Sequence, residues 1–159
     1  MAQEVYLTRA GFEKLSQELG YLTTKERKKI SKAIGEARLL GDISENAEYD
    51  AAKDAQAHCE ARIAELELKL SNVRIIEDQN IPSDKIYIGA IVTLKDLDQN
   101  KSLKYMLVSP EEASIEENKV SFSSPIGKGL MGKPADLVVD IEIPDGKKRF
   151  KILKIERPS

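Results

Sequence analysis

A single cysteine, Cys59, and a single histidine, His58, exclude a disulfide framework and a Cys/His zinc site. Tryptophan is absent. No proline occurs before Pro82, so nothing in the first half of the chain breaks a helix by removing a backbone donor. No apolar run approaches the roughly 20 residues that span a bilayer, and the opening Met-Ala-Gln-Glu-Val-Tyr lacks the basic and apolar regions of a signal peptide. A bias of charge is missing too: 25 Lys and Arg stand against 27 Asp and Glu, which argues against a protein that tracks many phosphates along a duplex. The expectation is a soluble, cytoplasmic protein with no membrane partner. What the chain has in excess is charge of both signs, 33% of its 159 residues against a usual ~25%. That excess fits long, solvent-exposed helices better than a compact ball.

Thr8 is placed to cap a helix. An apolar series follows it at spacings of three and four: Phe12, Leu15, Leu19, Leu22, then Ile30, Ala33 and Ala37, with Glu26 on the stripe between. A second series runs Ala52, Ala55, Cys59, Ile63, Leu66, Leu70, Val73. The two are mirror images. Pairing Phe12 with Val73, Leu19 with Leu66, Glu26 with Cys59 and Ala33 with Ala52 keeps one antiparallel register and puts the fold-back between Asp42 and Ile43. Both series break heptad spacing around Glu26 and Cys59, which predicts matched irregularities in two packed helices. From Phe12 to the turn is about thirty residues, an arm of roughly 45 Å at 1.5 Å per residue. Such a length exceeds what the seam needs for stability and implies reach. A hairpin closed on itself needs no partner chain, so a monomer is expected.

Asn80-Ile-Pro-Ser-Asp84 is a polar linker. The expected organisation is an antiparallel coiled-coil hairpin over residues 1–79, a linker over 80–84 and a small β-rich domain over 85–159, together an α+β fold. Candidate strands cover 88–94, 103–108, 120–122, 137–143 and 150–155, in a mostly antiparallel sheet, with Pro144-Asp-Gly146 turning the last pair. Ser124-Pro125 would cap a short helix with proline at its first position. Gly127-Lys-Gly129-Leu-Met-Gly132 matches GxGxxG and, through Lys133, the start of a P-loop. Pro134 stands where a P-loop needs a hydroxyl and forbids the long helix that should follow, and no βαβ unit surrounds the motif. Nucleotide binding is excluded on those grounds, and a tight surface turn is expected.

Between the two apolar series, Leu40 to Lys53 carries Asp42, Glu45, Glu48 and Asp50, with Asp54 just beyond, against Lys53. Asp42-Ile-Ser-Glu45 fits a capping box with Asp42 as N-cap, and carboxylates suit a helix N-terminus. That accounts for two carboxylates and not for the three that follow. Alternatively, Asp42 and Glu45 point off the tip as hard oxygen ligands for Mg²⁺. Two carboxylates would be a partial site, because Mg²⁺ keeps waters and substrate phosphates in its shell. The two readings are compatible, since a cap fixes the turn that presents the charges. Arg38 and Lys53 flank the turn, placed to touch a nucleic-acid end. Behind it, Lys25, Arg27, Lys28, Lys29 and Lys32 read either as a solvated helix face or as a phosphate-contacting patch.

Gly41-Asp-Ile-Ser-Glu-Asn-Ala-Glu-Tyr49 resembles the tip signature of the bacterial transcript-cleavage factors, the Gre family. Ser124-Pro-Ile-Gly-Lys-Gly-Leu-Met-Gly-Lys133 resembles the family's second signature, and the Leu7-Thr8-Arg9 opening also fits. The resemblance runs through essentially the whole chain in order. It implies an N-terminal antiparallel coiled coil and a C-terminal domain of FKBP-like fold. That domain would dock on the rim of the secondary channel of RNA polymerase, with Ser124, Pro125, Ile126 and Gly127 in the docking signature. The coiled coil would pass down the channel, where Asp42 and Glu45 help hold the second Mg²⁺ of the polymerase, or Glu45 orients the attacking water. Asn46, Glu48 and Tyr49 would support the tip, and Arg38 and Lys53 would hold phosphates of the extruded 3′ RNA of a backtracked complex. By the same resemblance the protein binds no Mg²⁺ stably alone and has no nuclease activity of its own. An inhibitory channel-binding homologue is the alternative, opposed by the retention of Asp42 and Glu45. A prolyl isomerase is opposed by the few aromatics of the second half, Tyr87, Tyr105, Phe122 and Phe150.

Overall fold

The computed structural model describes residues 4–42 and 46–158. Strand β1 (Val5–Leu7) leads into helix α1 (Arg9–Tyr21), which runs through a π-helical segment, Leu22–Glu26, into α2 (Arg27–Arg38). Helix α3 (Ala47–Leu70) returns alongside, then β2 (Val73–Ile75) pairs with β1. The chain divides into two compact units, one of Phe12–Val73 and the other of Glu4–Gly11 together with Arg74 onward. The first turn of α1 therefore groups with the second unit.

In the hairpin, Ile30, Ile34, Ala52, Cys59 and Ile63 form a buried cluster joined by Leu19, Leu22 and Tyr49. Each fully buried aliphatic side chain contributes about 1.5–3 kcal/mol, so this cluster rests mainly on its three isoleucines, with Leu15 and Leu66 also buried in the hairpin. Three expectations are corrected here. Ala33 and Ala55 are exposed, and Ile34 takes the seam position assigned to Ala33. The matched irregularity is one-sided: α3 keeps regular alternation through Ala52, Gln56, Cys59, Ile63 and Leu66, all at least partly buried, whereas the first arm steps by four from Leu22 to Glu26, Ile30 and Ile34. The π segment is the physical reason, since a turn closed by i→i+5 bonds, such as Arg27 N–H to the Leu22 carbonyl, absorbs an extra residue. Thr23 and Thr24 donate their hydroxyls to the carbonyls of Leu19 (2.9 Å) and Gly20 (2.7 Å) across this wider turn. The second helix also stops at Leu70, three residues short of the expected Val73. The Ser71 hydroxyl bonds back to the Leu68 carbonyl (2.7 Å), and Val73 with Ile75 and Ile76 favours extended chain.

In the second unit, β3 (Ile91–Asp96), β4 (Lys101–Val108), β5 (Lys119–Ser121), β6 (Val138–Ile143) and β7 (Gly146–Glu156) make one sheet in the order β5-β4-β3-β7-β6. All pairs are antiparallel except β4 with β5. The five expected strands are all present, with ends shifted by a few residues. Gly146 (φ +126°) makes the β6–β7 turn, a conformation that favours glycine. Val92, Leu94, Leu107, Val139, Ile141, Phe150 and Ile152 supply the core, together with Leu130 of helix α4 (Pro125–Leu130). At the end of β3, the buried Asp96 carboxylate accepts from the N–H groups of Asp98 (2.9 Å) and Gln99 (3.1 Å), with Lys148 at 3.7 Å.

Only the end of the glycine-rich motif is a surface turn, at the exposed Gly132 (φ +79°); Gly127 and Gly129 lie in α4. Ser124 caps α4, its Oγ accepting from Gly127 N–H (3.1 Å), with Pro125 first in the helix as expected. A Cβ on Gly127 would overlap the Ser121 carbonyl and lie 2.8 Å from the Phe122 Cα, and one on Gly129 would lie 2.7 Å from Ile141 Cγ1. The glycines let a helix lie directly on a strand end and on the core.

Candidate functional site at the hairpin tip

Helix α2 closes with Leu39 and Leu40 N–H donating to the carbonyls of Glu36 and Ala37 (both 3.1 Å). Gly41 (φ +128°) then turns the chain, and Asp42 follows, exposed. Ile43, Ser44 and Glu45 lie outside the described residues, and with them one of the two expected ligands. On the far side Asn46 starts α3: its Oδ1 accepts from Tyr49 N–H (3.1 Å), and its Nδ2 donates to the Ala37 carbonyl. One amide thus caps one helix and ties it to the end of the other. This corrects the capping box. Asp42 is not the N-cap, because α3 begins at Ala47 and its N-cap is Asn46, which also reaches α2.

Glu48 and Asp50 sit in the first turn of α3, where carboxylates meet the positive end of the helix dipole. Tyr49 is half-buried against the seam, and the Arg38 guanidinium lies 5.9 Å from its ring centroid, a cation–π distance. The Lys53 ammonium donates to Gln56 Oε1 (2.9 Å) on its own exposed helix face. The structure therefore gathers Arg38, Asn46 and Tyr49 around the turn, with Asp42 exposed beside them. Sequence reasoning missed Leu39 and Leu40, whose side chains are 87% and 65% exposed just before the turn. Their failure to fit the seam stripe was the available signal.

Further down the arm the basic run divides. Arg27 makes a two-pronged pair with Glu60 (2.9 and 2.8 Å), and Lys32 lies 3.9 Å from Glu36. Lys25, Lys28 and Lys29 are exposed, with no ion pair among the described residues. The Arg27 hydrogen bond holds the Glu60 carboxyl below its ordinary value, and Arg62 does the same for Glu18 at 2.8 Å. Burial pushes the Cys59 thiol up, and its Sγ donates to the Leu22 carbonyl at 3.9 Å, the setting of an unreactive core thiol.

In the second unit, Ser124, Pro125 and Ile126 line an apolar groove of about 610 Å³ with Tyr105, Val120 and Ile143. Gly127 is buried beneath it and serves the close packing of α4. Ile115, on the groove's rim, is 96% exposed.

Two family models match this chain. "Transcription elongation factor, N-terminal" covers residues 5–75, and "Transcription elongation factor, GreA/GreB, C-term" covers residues 81–157. Among curated relatives, "Transcription elongation factor GreA" of Chloroherpeton thalassium is 46% identical over 156 residues, 98% of this chain and 99% of the relative. The protein of the same name from Clostridium kluyveri is 44% identical over 151 residues, 95% of each. A solved structure of the GreA factor homolog 1 (Gfh1) protein of Thermus thermophilus aligns at 34% identity over 97% of this chain and 99% of that one, with a TM-score of 0.43.

Proposed function

This chain belongs to the GreA/GreB family of transcription elongation factors, and we propose that it acts by presenting its hairpin tip to the active site of RNA polymerase. The second unit docks on the rim of the secondary channel through the surface around Ser124, Pro125 and Ile126, and the hairpin enters the channel. The tip carries this proposal: an exposed carboxylate, Asp42, stands at the end of two helices that Asn46 ties together, with Arg38 held against Tyr49 beside it.

Among the described residues no three His, Cys, Asp or Glu side chains come together in a metal-binding group. An exposed Asp42 does fit one hard-oxygen position of an Mg²⁺ shell, with Glu45 as a second and the remainder from polymerase and RNA. Bound there, Mg²⁺ supplies Lewis-acid activation of water and neutralisation of developing phosphate charge. The chain's own residues bind and orient. Asp42 donates a carboxylate oxygen to the shared ion, and Glu45 holds it or orients the attacking water. Arg38 and Lys53 hold phosphates of the extruded 3′ RNA. Asn46 and Tyr49 keep these groups in register, and Glu48 stabilises the start of α3. The result is hydrolysis of the extruded RNA in a backtracked complex, leaving a new 3′ end from which elongation resumes. The active site is the polymerase's, and the chain alone cleaves nothing.

A backtracked polymerase complex carrying 3′-labelled RNA, incubated with Mg²⁺ and this protein, tests the proposal. Release of short labelled fragments is expected with wild type, and near-complete loss with Asp42→Ala or Glu45→Ala while polymerase binding persists. Release that persists in both variants would remove the roles given to them. Slowed elongation without release would favour an inhibitory plug of the channel.

A further inference from the structure

Thr8, Gly11 and Glu112 form a closed hydrogen-bonded group at the root of α1, all within the second unit. The Glu112 carboxylate accepts from Thr8 N–H (2.8 Å) and from the Thr8 hydroxyl, while that hydroxyl accepts from Gly11 N–H (3.0 Å). A Cβ on Gly11 would run into the Glu112 carboxylate, which would have to swing away from Thr8 to admit it. Further contacts reinforce the same turn. Glu77 accepts from Arg9 N–H (3.1 and 3.2 Å), the Arg9 guanidinium meets Asp78 at 2.7 Å, and the Ser109 hydroxyl donates to the Tyr6 carbonyl. Capping alone would need only Thr8, which already satisfies Gly11 N–H. Glu112 lies 104 positions away and adds a tie between the start of the helix and the β4–β5 connection.

We propose that Glu112 is a positioning residue for transcript cleavage, seating the first turn of α1, the turn from which the hairpin's first arm continues. This rests on the function proposed above. The arm makes the seat matter by leverage. Phe12 to Arg38 spans roughly 40 Å at 1.5 Å per residue, so a tilt of about 10° at the root would carry the tip about 7 Å. Placement at a reacting centre is felt at about 1 Å.

The test uses the full chain in the backtracked-complex assay, with factor concentration varied. Glu112→Ala and Gly11→Ala are each expected to lower the maximal cleavage rate roughly tenfold or more. The concentration giving half-maximal stimulation should stay within about twofold, because the groove around Ser124 to Ile126 is untouched. Gly11→Ala separates this seat from a simple helix start. In a helix start alanine is neutral or stabilising, whereas here it displaces the Glu112 side chain. Glu112→Gln, which keeps an acceptor for Thr8 N–H, should retain most of the rate. The double variant Gly11→Ala/Glu112→Ala should be no worse than either single one, since both break one contact. Without polymerase, amide exchange at Thr8 should accelerate in Glu112→Ala. Wild-type cleavage by either single variant, multiplicative losses in the double variant, or half-maximal concentrations rising in step with the rate loss would overturn the proposal. If the wild type itself releases no fragment, the function proposed above fails instead, and unchanged Thr8 exchange in Glu112→Ala would separately refute the seat.

Discussion

Asn46 bonds in two directions, and its two functions separate by substitution. Asn46→Ala removes the N-cap, worth about 1 kcal/mol, and the side-chain donor to the Ala37 carbonyl, which keeps its bond from Leu40 N–H. Asn46→Asp keeps the acceptor for Tyr49 N–H and loses only the donor to Ala37. The helical signal of the hairpin should therefore melt several degrees lower in the alanine variant, with the aspartate variant between it and wild type. An alanine variant that melts with wild type would show the cap to be idle. Glycines give a second pair of opposite sign. A Cβ on Gly127 meets backbone that cannot swing away, so Gly127→Ala should cost about 1–3 kcal/mol or more. Gly35 lies inside α2 with nothing within 4 Å of its missing Cβ, so Gly35→Ala should stabilise by about 0.5–1 kcal/mol. Denaturant midpoints of the two variants, moving in opposite directions from wild type, are the check. The two positions look alike as letters; only the packing around each distinguishes them.

The elements were legible where periodicity speaks and obscure where a local irregularity intervenes. Two helical arms and five strands follow from apolar spacing, because burial of one face requires that spacing. The π segment does not follow. Leu22-Thr-Thr-Lys-Glu26 contains no residue that ordinary helix could not accept, and its widened turn moves the seam from Ala33 to Ile34. Strands β1 and β2 were missed because three residues are too few to show alternation. Charge pairing along the hairpin is a matter of this scale too. Arg62 holds Glu18 below the ordinary carboxyl value, Arg27 does so for Glu60, and Lys69 with Arg62 for Glu65. A carboxyl depressed in the folded state contributes stability that is fully present above its unfolded value, 4.5 for glutamate, and lost as pH falls through the folded one. These side chains are more than a third exposed, so the contribution is modest and screened. The hairpin's melting temperature should decline as pH falls below the ordinary glutamate value of 4.5 in low salt, and the decline should flatten in about 1 M NaCl. An equal decline at both salt concentrations would place the titrating groups elsewhere.

For the whole molecule, the existence of a turn between two helical arms could be read from the stripes, and it falls between Arg38 at the end of α2 and Ala47 at the start of α3. Its capping could not, since Asp42 and Asn46 are equally good N-caps by type, and only the reach to Ala37 selects the second. The grouping of Glu4–Gly11 with Arg74 onward was likewise hidden, as the bonds that make it, Thr8 to Glu112 and Arg9 to Glu77 and Asp78, join residues far apart in sequence. That grouping has a thermodynamic consequence. Two compact units with separate cores need not unfold in one transition, and variants confined to one should leave the other's transition in place. Hydrogen exchange followed by mass spectrometry along a denaturant series should show Ile30, Ile34 and Ile63 opening with one midpoint and Val92, Leu107 and Ile152 with another. Asn46→Ala should shift only the first and Gly127→Ala only the second. The decisive segment is Thr8 to Gly11, which is continuous with a hairpin helix but bonded to the sheet unit. Its amides should lose protection together with Val92 and Leu107, and should follow Gly127→Ala rather than Asn46→Ala. If they follow the hairpin, the root of the arm belongs to the helix it begins rather than to the unit that holds it.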